Sequence, residues 1–332
     1  MRKLHLIVIG LLFVPTFFLT SCDQGDEPEV LTPAFTLLKD HMINNNLDID
    51  KIITNADGEK FVVAAPAEAD LAAFLDKFYI IDIRSATDFA TSHIEGAKNV
   101  AFSTILNEGT NAGSKPVLIV CYTGQTACYG TALMRLYGFS HTRALKWGMS
   151  GWNSATAGSW NKNVNDVAKD TPSWSYEKEI TPLVLSDPTI SSLSQSGEAI
   201  LKSRVELAVQ EGFKTVTNAD VVANPSGYFI NNYFSGTDYI GFGHLTDAYR
   251  ILPLTLADNS YKGLDPTPGA KVVTYCYTGQ TSAVVTACLR VLGYDAYSLT
   301  FGMNGLYHSN SAWTSNQWGV GSSVPKELTL VN

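Results

Sequence analysis

Cys121-Tyr122-Thr123-Gly124-Gln125-Thr126 occurs a second time in the chain, as Cys276-Tyr277-Thr278-Gly279-Gln280-Thr281. An apolar, β-branched run leads into each copy, Pro116 to Val120 and Lys271 to Tyr275. Helical periodicity follows each and stops at a glycine, Gly138 or Gly293. Each copy therefore reads as a strand, a tight loop and a helix start. That arrangement gathers backbone N–H groups and the positive end of a helix dipole around one sulfur, so both cysteines are candidate nucleophiles.

An ordinary thiol with a pKa near ~8.5 is only about 3% thiolate at pH 7. Lowering the pKa by about two units takes roughly 2.7 kcal/mol of preferential stabilisation of the anion. A helix dipole supplies about 0.3 to 1 kcal/mol, so the expectation is that loop amides supply the rest. Gly124 and Gly279 let the loop turn sharply enough to aim those amides inward.

At 332 residues the chain has room for two domains. Its 45% hydrophobic and 16% charged content describe proteins with real cores. The net charge of -8, without a Lys/Arg block, argues against a nucleic-acid partner. The N-terminus reads as a signal peptide over residues 1–21, with basic Arg2 and Lys3 and an apolar run from Leu4 to Leu19. Its Leu19-Thr20-Ser21-Cys22 ending resembles the lipobox of bacterial lipoproteins, which implies lipidation of Cys22. The expected location is then an exported, membrane-anchored lipoprotein facing the periplasm or the cell surface, with residues 22–32 as a tether. The remaining cysteines, Cys121, Cys128, Cys276 and Cys288, show neither C-x-x-C nor paired zinc spacing, so a disulfide scaffold and a metal site are not expected.

Further anchors suggest duplication. Helices are expected over Pro33 to Asn46, Ala67 to Lys77 and Glu198 to Gln210, and a short strand over Asp48 to Thr54. Thr54-Asn55-Ala56-Asp57 returns as Thr217-Asn218-Ala219-Asp220. Tyr79-Ile80-Ile81-Asp82-Ile83-Arg84 is set against Tyr228 to Tyr233, which aligns Asp82 and Arg84 with Asn231 and Tyr233. His93 matches His244, and Trp147 to Trp152 matches Phe301 to Leu306. The expected layout is one domain at 33–165, a linker at 166–187 and a second domain at 188–328, with parallel sheets covered on both faces.

Asp82-Ile83-Arg84, Ser92-His93-Ile94-Glu95-Gly96-Ala97, the Cys121 loop and the Gly148-Met149 turn together resemble the rhodanese superfamily, in that family's order and spacing. The likeness covers Tyr79 to Trp152 and, more loosely, Tyr228 to Tyr307. It implies an α/β fold of two tandem units, each with a central five-stranded parallel sheet flanked by helices. It also implies sulfurtransferase activity, with sulfane sulfur carried as a persulfide on Cys121 and Cys276. In that reading Tyr122, Thr123, Gly124, Gln125 and Thr126, and Tyr277, Thr278, Gly279, Gln280 and Thr281, form the cradles, while Asp82 and Arg84 brace the loop. A small sulfur donor and a thiol or cyanide acceptor are the implied partners, and no metal or organic cofactor is needed.

Neither loop contains the basic side chain common in thiosulfate-preferring members, which leaves the donor open. Ala127 and Ser282, six past each cysteine, exclude a phosphatase of the Cys-x5-Arg type. Two other readings are a non-catalytic envelope binding module on the same fold and thiol redox exchange between Cys121 and Cys128. His93 and His244 read as local hydrogen-bonding groups, and Cys128 and Cys288 as small core residues.

Overall fold

The computed structural model describes residues 31–332. The expected signal peptide, Cys22 and nearly all of the tether lie outside those residues. Five parallel strands form the first sheet: β1 (Val62–Val63), β2 (Tyr79–Asp82), β3 (Lys98–Asn99), β4 (Val117–Val120) and β5 (Arg143–Leu145), in the order β1-β5-β4-β2-β3. The central strand β4, Val-Leu-Ile-Val, is buried at every position, as expected for a parallel strand covered on both faces. A short antiparallel pair joins β6 (Trp174–Ser175) to β9 (His244–Leu245). The other large sheet runs β7-β11-β10-β8, from β7 (Thr215–Val216), β8 (Phe229–Asn232), β10 (Val272–Tyr275) and β11 (Ala296–Leu299), again all parallel.

This second sheet has four strands where five are expected. Its fifth place is a single bridge between Asn231 and Tyr249. The Asn231 side chain takes the Ile251 N–H at 3.0 Å, so a side chain substitutes for the next rung and the chain leaves the sheet. Asp48 to Thr54 is likewise a helix, Ile49–Ile53, rather than a strand. Asp48 caps it by accepting from the Ile49 N–H, and its carboxylate also receives Leu256 N–H at 2.8 Å and Ala257 N–H at 3.0 Å. The repeated Thr-Asn-Ala-Asp is not an equivalent pair. Thr54 to Asp57 forms a turn ahead of β1, whereas Thr217 follows β7 and caps the helix Asn218–Ala223.

The helix Gln125–Tyr137 follows β4 and ends at Gly138, which adopts φ +118° and returns N–H bonds to the last turn. Almost all its residues are buried, because one side covers its own sheet and the other meets the corresponding helix Gln280–Val291. The helices Ala34–Asn44 and Gly197–Glu211 pack together beside this pair. One hydrophobic cluster therefore runs from Leu38, Met42 and Ile119 through Leu133 and Val205 to Val284 and Leu289. Arg135 lies inside it, 1% exposed, and donates to the carbonyls of Thr142 (2.9 Å) and Ile52 (2.8 Å).

The C-terminal segment returns to the first sheet. Lys326 and Leu328 donate to the Gly151 and Trp152 carbonyls, and Trp152 Nε1 donates to the Thr329 carbonyl at 2.9 Å. His93 and Val331 exchange backbone hydrogen bonds, and Leu328 is buried among Ile80, Leu118 and Trp152. Residues 32–332 form one compact unit. Among the described residues no helix is long and apolar enough to cross a membrane.

Candidate functional site

The expected loop geometry is present at the first cysteine. Cys121 Sγ receives the Gly124 N–H at 3.1 Å and the Ala127 N–H at 3.3 Å, the latter from the first turn of the helix. Gly124 begins that helix in the left-handed region, φ +85°. Gly148 holds the loop from behind: Met149 N–H donates to the Cys121 carbonyl at 2.8 Å, and Ser150 N–H to that of Tyr122 at 3.1 Å. A Cβ on Gly148 would lie 2.3 Å from that Cys121 oxygen.

Cys121 is only 3% exposed. Burial pushes the Cys121 thiol up, and the amides of Ala127, Thr123 and Gly124 offset part of that rise; Asp82 adds to it. This corrects the expectation of a depressed pKa. The donors are where the sequence places them, but desolvation of a nearly enclosed anion outweighs them. Burial also pushes up Cys128 and Cys288 on the two loop helices. All four described cysteines are free thiols, and an enclosed, protonated Cys128 is a poor partner for thiol exchange.

At the end of β2, Arg84 grips Asp82 through Nε (3.0 Å to both carboxylate oxygens) and Nη2 (2.6 Å), with both side chains almost wholly buried. Nη2 also donates to the Ser92 carbonyl at 2.6 Å. The guanidinium lies under the Tyr122 ring, 5.8 Å from its centroid. Tyr122 hydroxyl donates to Asp88, whose helix Ala86–Thr91 is capped by Ser85. The ion pair thus fixes the strand end, and Tyr122 ties the loop to it.

Beside Tyr122 a cavity of about 390 Å³ opens, lined by Arg84, Asp88, Tyr122, Met149, Ser159 and Lys162. Cys121 itself is not part of the lining, whereas Lys162 is. It carries no sequence signal, because it lies far from the loop in an otherwise polar connecting segment.

The second loop repeats the frame with different fittings. Ser282 N–H donates to Cys276 Sγ at 3.3 Å, and the thiol lies 3.7 Å from Ser282 Oγ, where the first loop has Ala127. Gly302 stands behind it as Gly148 does, with a notional Cβ 2.0 Å from the Cys276 carbonyl. Tyr277 hydroxyl reaches Asp238 at 2.5 Å, and Ser235 caps that helix.

Strand register corrects the alignment of the acidic and basic positions. Asp82 pairs with Val120 and Asn232 with Tyr275, the residues directly before each cysteine. Asn232 and Phe234 are therefore the counterparts of Asp82 and Arg84, and Phe234 N–H bonds Asn232 Oδ1 at 2.9 Å as Arg84 N–H bonds Asp82 Oδ1. Phe234 stacks on Tyr277 (4.4 Å, 11°), and Phe242 packs between Phe234 and Trp313. The place held by a guanidinium in the first half is aromatic in the second.

The structure brings the two loops into contact. Gln125 Oε1 accepts the Phe301 N–H at 2.8 Å, and Gln280 Nε2 donates to the Thr123 carbonyl at 3.3 Å. Thr126 faces a cavity of about 500 Å³ with Phe102, Phe213 and Phe301, and Thr281 faces one of about 740 Å³ with Tyr233 and Leu254. His93 and His244 both stack on a ring, Phe89 or Tyr239, and bond only carbonyl oxygens, in keeping with a local structural part. Among the described residues no cluster of His, Cys, Asp or Glu could hold a metal ion.

A family model described as Rhodanese-like domain matches residues 66–155. The chain is 30% identical over 79 residues to a thiosulfate sulfurtransferase, GlpE, of Shewanella oneidensis, covering 24% of this chain and 78% of that protein. It is 29% identical over 100 residues to the GlpE of Pseudomonas entomophila, covering 30% and 91%. Among solved structures, a thiosulfate sulfurtransferase from Pseudomonas aeruginosa is 16% identical with a TM-score of 0.29, over 80% of this chain and 48% of that one. A rhodanese-related protein from Thermoplasma volcanium is 15% identical with a TM-score of 0.23, over 26% and 87%.

Proposed function

Because the chain belongs to the rhodanese family, and its function is of the sulfurtransferase class, we propose that it moves sulfane sulfur through a persulfide on Cys121. The Cys121 thiolate attacks the outer sulfur of an anionic donor such as thiosulfate or a small persulfide. The donor S–S bond breaks, its electron pair leaves with sulfite or a thiolate, and Cys121 holds the sulfur as a persulfide anion. A thiol or cyanide acceptor then attacks that terminal sulfur and the cysteine thiolate is regenerated.

The observation that carries this reading is the pair of amides, Gly124 and Ala127, aimed at the sulfur that would bear the charge. Lys162, on the lining of the cavity beside Tyr122, favours an anionic donor, while the neutralised Asp82–Arg84 pair braces the loop. We read the two halves as tandem copies of one unit, joined by the segment 166–187. The aromatic fill around Phe234 and Tyr277 favours Cys121 as the principal site, with Cys276 in a supporting position. We read the N-terminal pattern as a lipoprotein signal, a reading in which the protein works outside the cytoplasm, anchored through Cys22.

Incubating the full-length protein with thiosulfate and then with a small persulfide should give, by intact mass, an adduct of about 32 Da that Cys121→Ser abolishes and Cys276→Ser leaves largely in place. Since burial pushes the Cys121 thiol up, loading should quicken as pH rises through and past the ordinary thiol range. An adduct on neither loop, with either donor, would favour a binding module instead.

A further inference from the structure

The Thr123–Gly124 peptide has two ends, and each is occupied. Its N–H donates to Cys121 Sγ at 3.1 Å. Its carbonyl receives two side-chain donors, Trp160 Nε1 at 3.1 Å and Gln280 Nε2 at 3.3 Å. Donation to a peptide oxygen polarises the same peptide's N–H and strengthens the bond that N–H makes. It also fixes the rotation of the peptide plane, and so the direction in which the N–H points.

Neither donor is free to wander. Trp160 is fully buried, edge-on to Trp147 (4.8 Å) and Phe301 (5.0 Å) and stacked on Trp318 (5.4 Å). Gln280 is 3% exposed at the first position of the helix that follows the other cysteine loop.

We propose that Gln280 and Trp160 are positioning residues for Cys121, clamping the carbonyl of the Thr123–Gly124 peptide so that its N–H is held and polarised toward the sulfur. The clamp runs one way. Gln125, which matches Gln280 in the other loop, accepts from the Phe301 N–H and does not meet the Thr278 carbonyl. Among the described residues no donor meets that carbonyl and the Gly279 N–H makes no bond to Cys276 Sγ. The second loop thus has a use that does not require its own cysteine to turn over: it lends a side chain to the first.

The inference rests on Cys121 being the nucleophile, but its test reads ionisation alone and uses no sulfur donor. Iodoacetamide labelling of Cys121 is followed against pH by peptide mass spectrometry in the full-length protein, in Gln280→Met and in Trp160→Phe. Gln280→Met keeps the bulk of its side chain and loses the donor, and Trp160→Phe keeps an aromatic ring and loses the donor with part of the bulk. The expected result is a rise of about half a unit in the labelling midpoint for each, a roughly threefold loss of thiolate at a fixed pH below it. A purely structural part would lower the melting temperature and leave the midpoint in place. Unmoved midpoints in the two variants would overturn the proposal, and should Trp160→Phe fail to fold, Gln280→Met decides alone. A failed sulfur-loading experiment with shifted midpoints would instead count against the transfer reaction and leave the clamp standing.

Discussion

The second half of the chain carries, at Asn232 and Phe234, a neutral substitute for the Asp82–Arg84 ion pair of the first. Replacing Arg84 alone by Phe leaves the Asp82 carboxylate, 1% exposed as a side chain, without the three guanidinium contacts of 2.6 to 3.0 Å that now neutralise it. Only the Arg84 backbone N–H at 2.9 Å would remain to it. Breaking a buried pair in this way costs about 3–5 kcal/mol. Asp82→Asn alone leaves a guanidinium that is 3% exposed without its counter-charge and sets an amide NH2 in place of one of the two acceptor oxygens, a loss of similar size. The double substitution Asp82→Asn/Arg84→Phe installs the pairing found at Asn232 and Phe234, in which an amide takes the same backbone N–H and a ring lies against the tyrosine. Exchange of a buried ion pair for neutral groups of similar volume is close to neutral in stability, so the double variant should recover to within about 1–2 kcal/mol of wild type. With a urea m-value near ~3 kcal/mol/M, each single variant should lose roughly 1 to 1.7 M in its midpoint and the double variant less than about 0.7 M. Urea melts followed by tryptophan fluorescence measure all four proteins. If the double variant loses the sum of the single losses, the two positions are not coupled and the ion pair does not brace the strand end as described.

Two further outcomes can be checked. Gly148 has φ +59° and ψ -151°, a region open essentially to glycine, and its added Cβ would meet backbone rather than a movable side chain. Gly148→Ala should therefore cost about 2–5 kcal/mol in a denaturant melt and slow Cys121 labelling more than Cys276 labelling, whereas unaltered melting would refute the close approach. Asp88 is held below the ordinary carboxylate range by Ser85 first and then by the Tyr122 hydroxyl. A depressed carboxylate pKa contributes stability that is present above the ordinary value and lost as pH falls through the folded one. Tyr122→Phe should move the Asp88 midpoint upward by NMR titration, and no movement would mean that the hydroxyl is not its partner.

What could be read in the residues was what neighbours decide. A β-branched run, a glycine loop and a helix start are local, and Cys121 with its Gly124 and Ala127 donors sits where they place it. Asp82 and Arg84 lie two apart at a strand end, on one side of the pleat, so their pairing was also legible. The duplicated Thr-Asn-Ala-Asp misled because four identical residues can serve a turn in one place and a helix cap in another. The one-residue offset at Asn232 and Phe234 needed the ladder against the strand preceding Cys276. Lys162, Trp160 and the crossing of Gln280 to Thr123 depend on contacts far apart in the chain, and no spacing rule reports them. The same is true of the thiol: counting amides in a loop says nothing about how much protein closes over the sulfur.

The return of residues 326–331 to the first sheet bears on the order of biosynthesis. Trp152 Nε1 and the Asn153 side-chain amide find their acceptors on Thr329 and Leu328, about 175 positions downstream, and the apolar floor beneath Leu118 is closed by Leu328. A ribosome that has released the amino-terminal sheet has thus delivered a body still lacking its final seam. That seam is sewn only once residues 326–331 have emerged, so a stop codon placed before them would injure the portion made first.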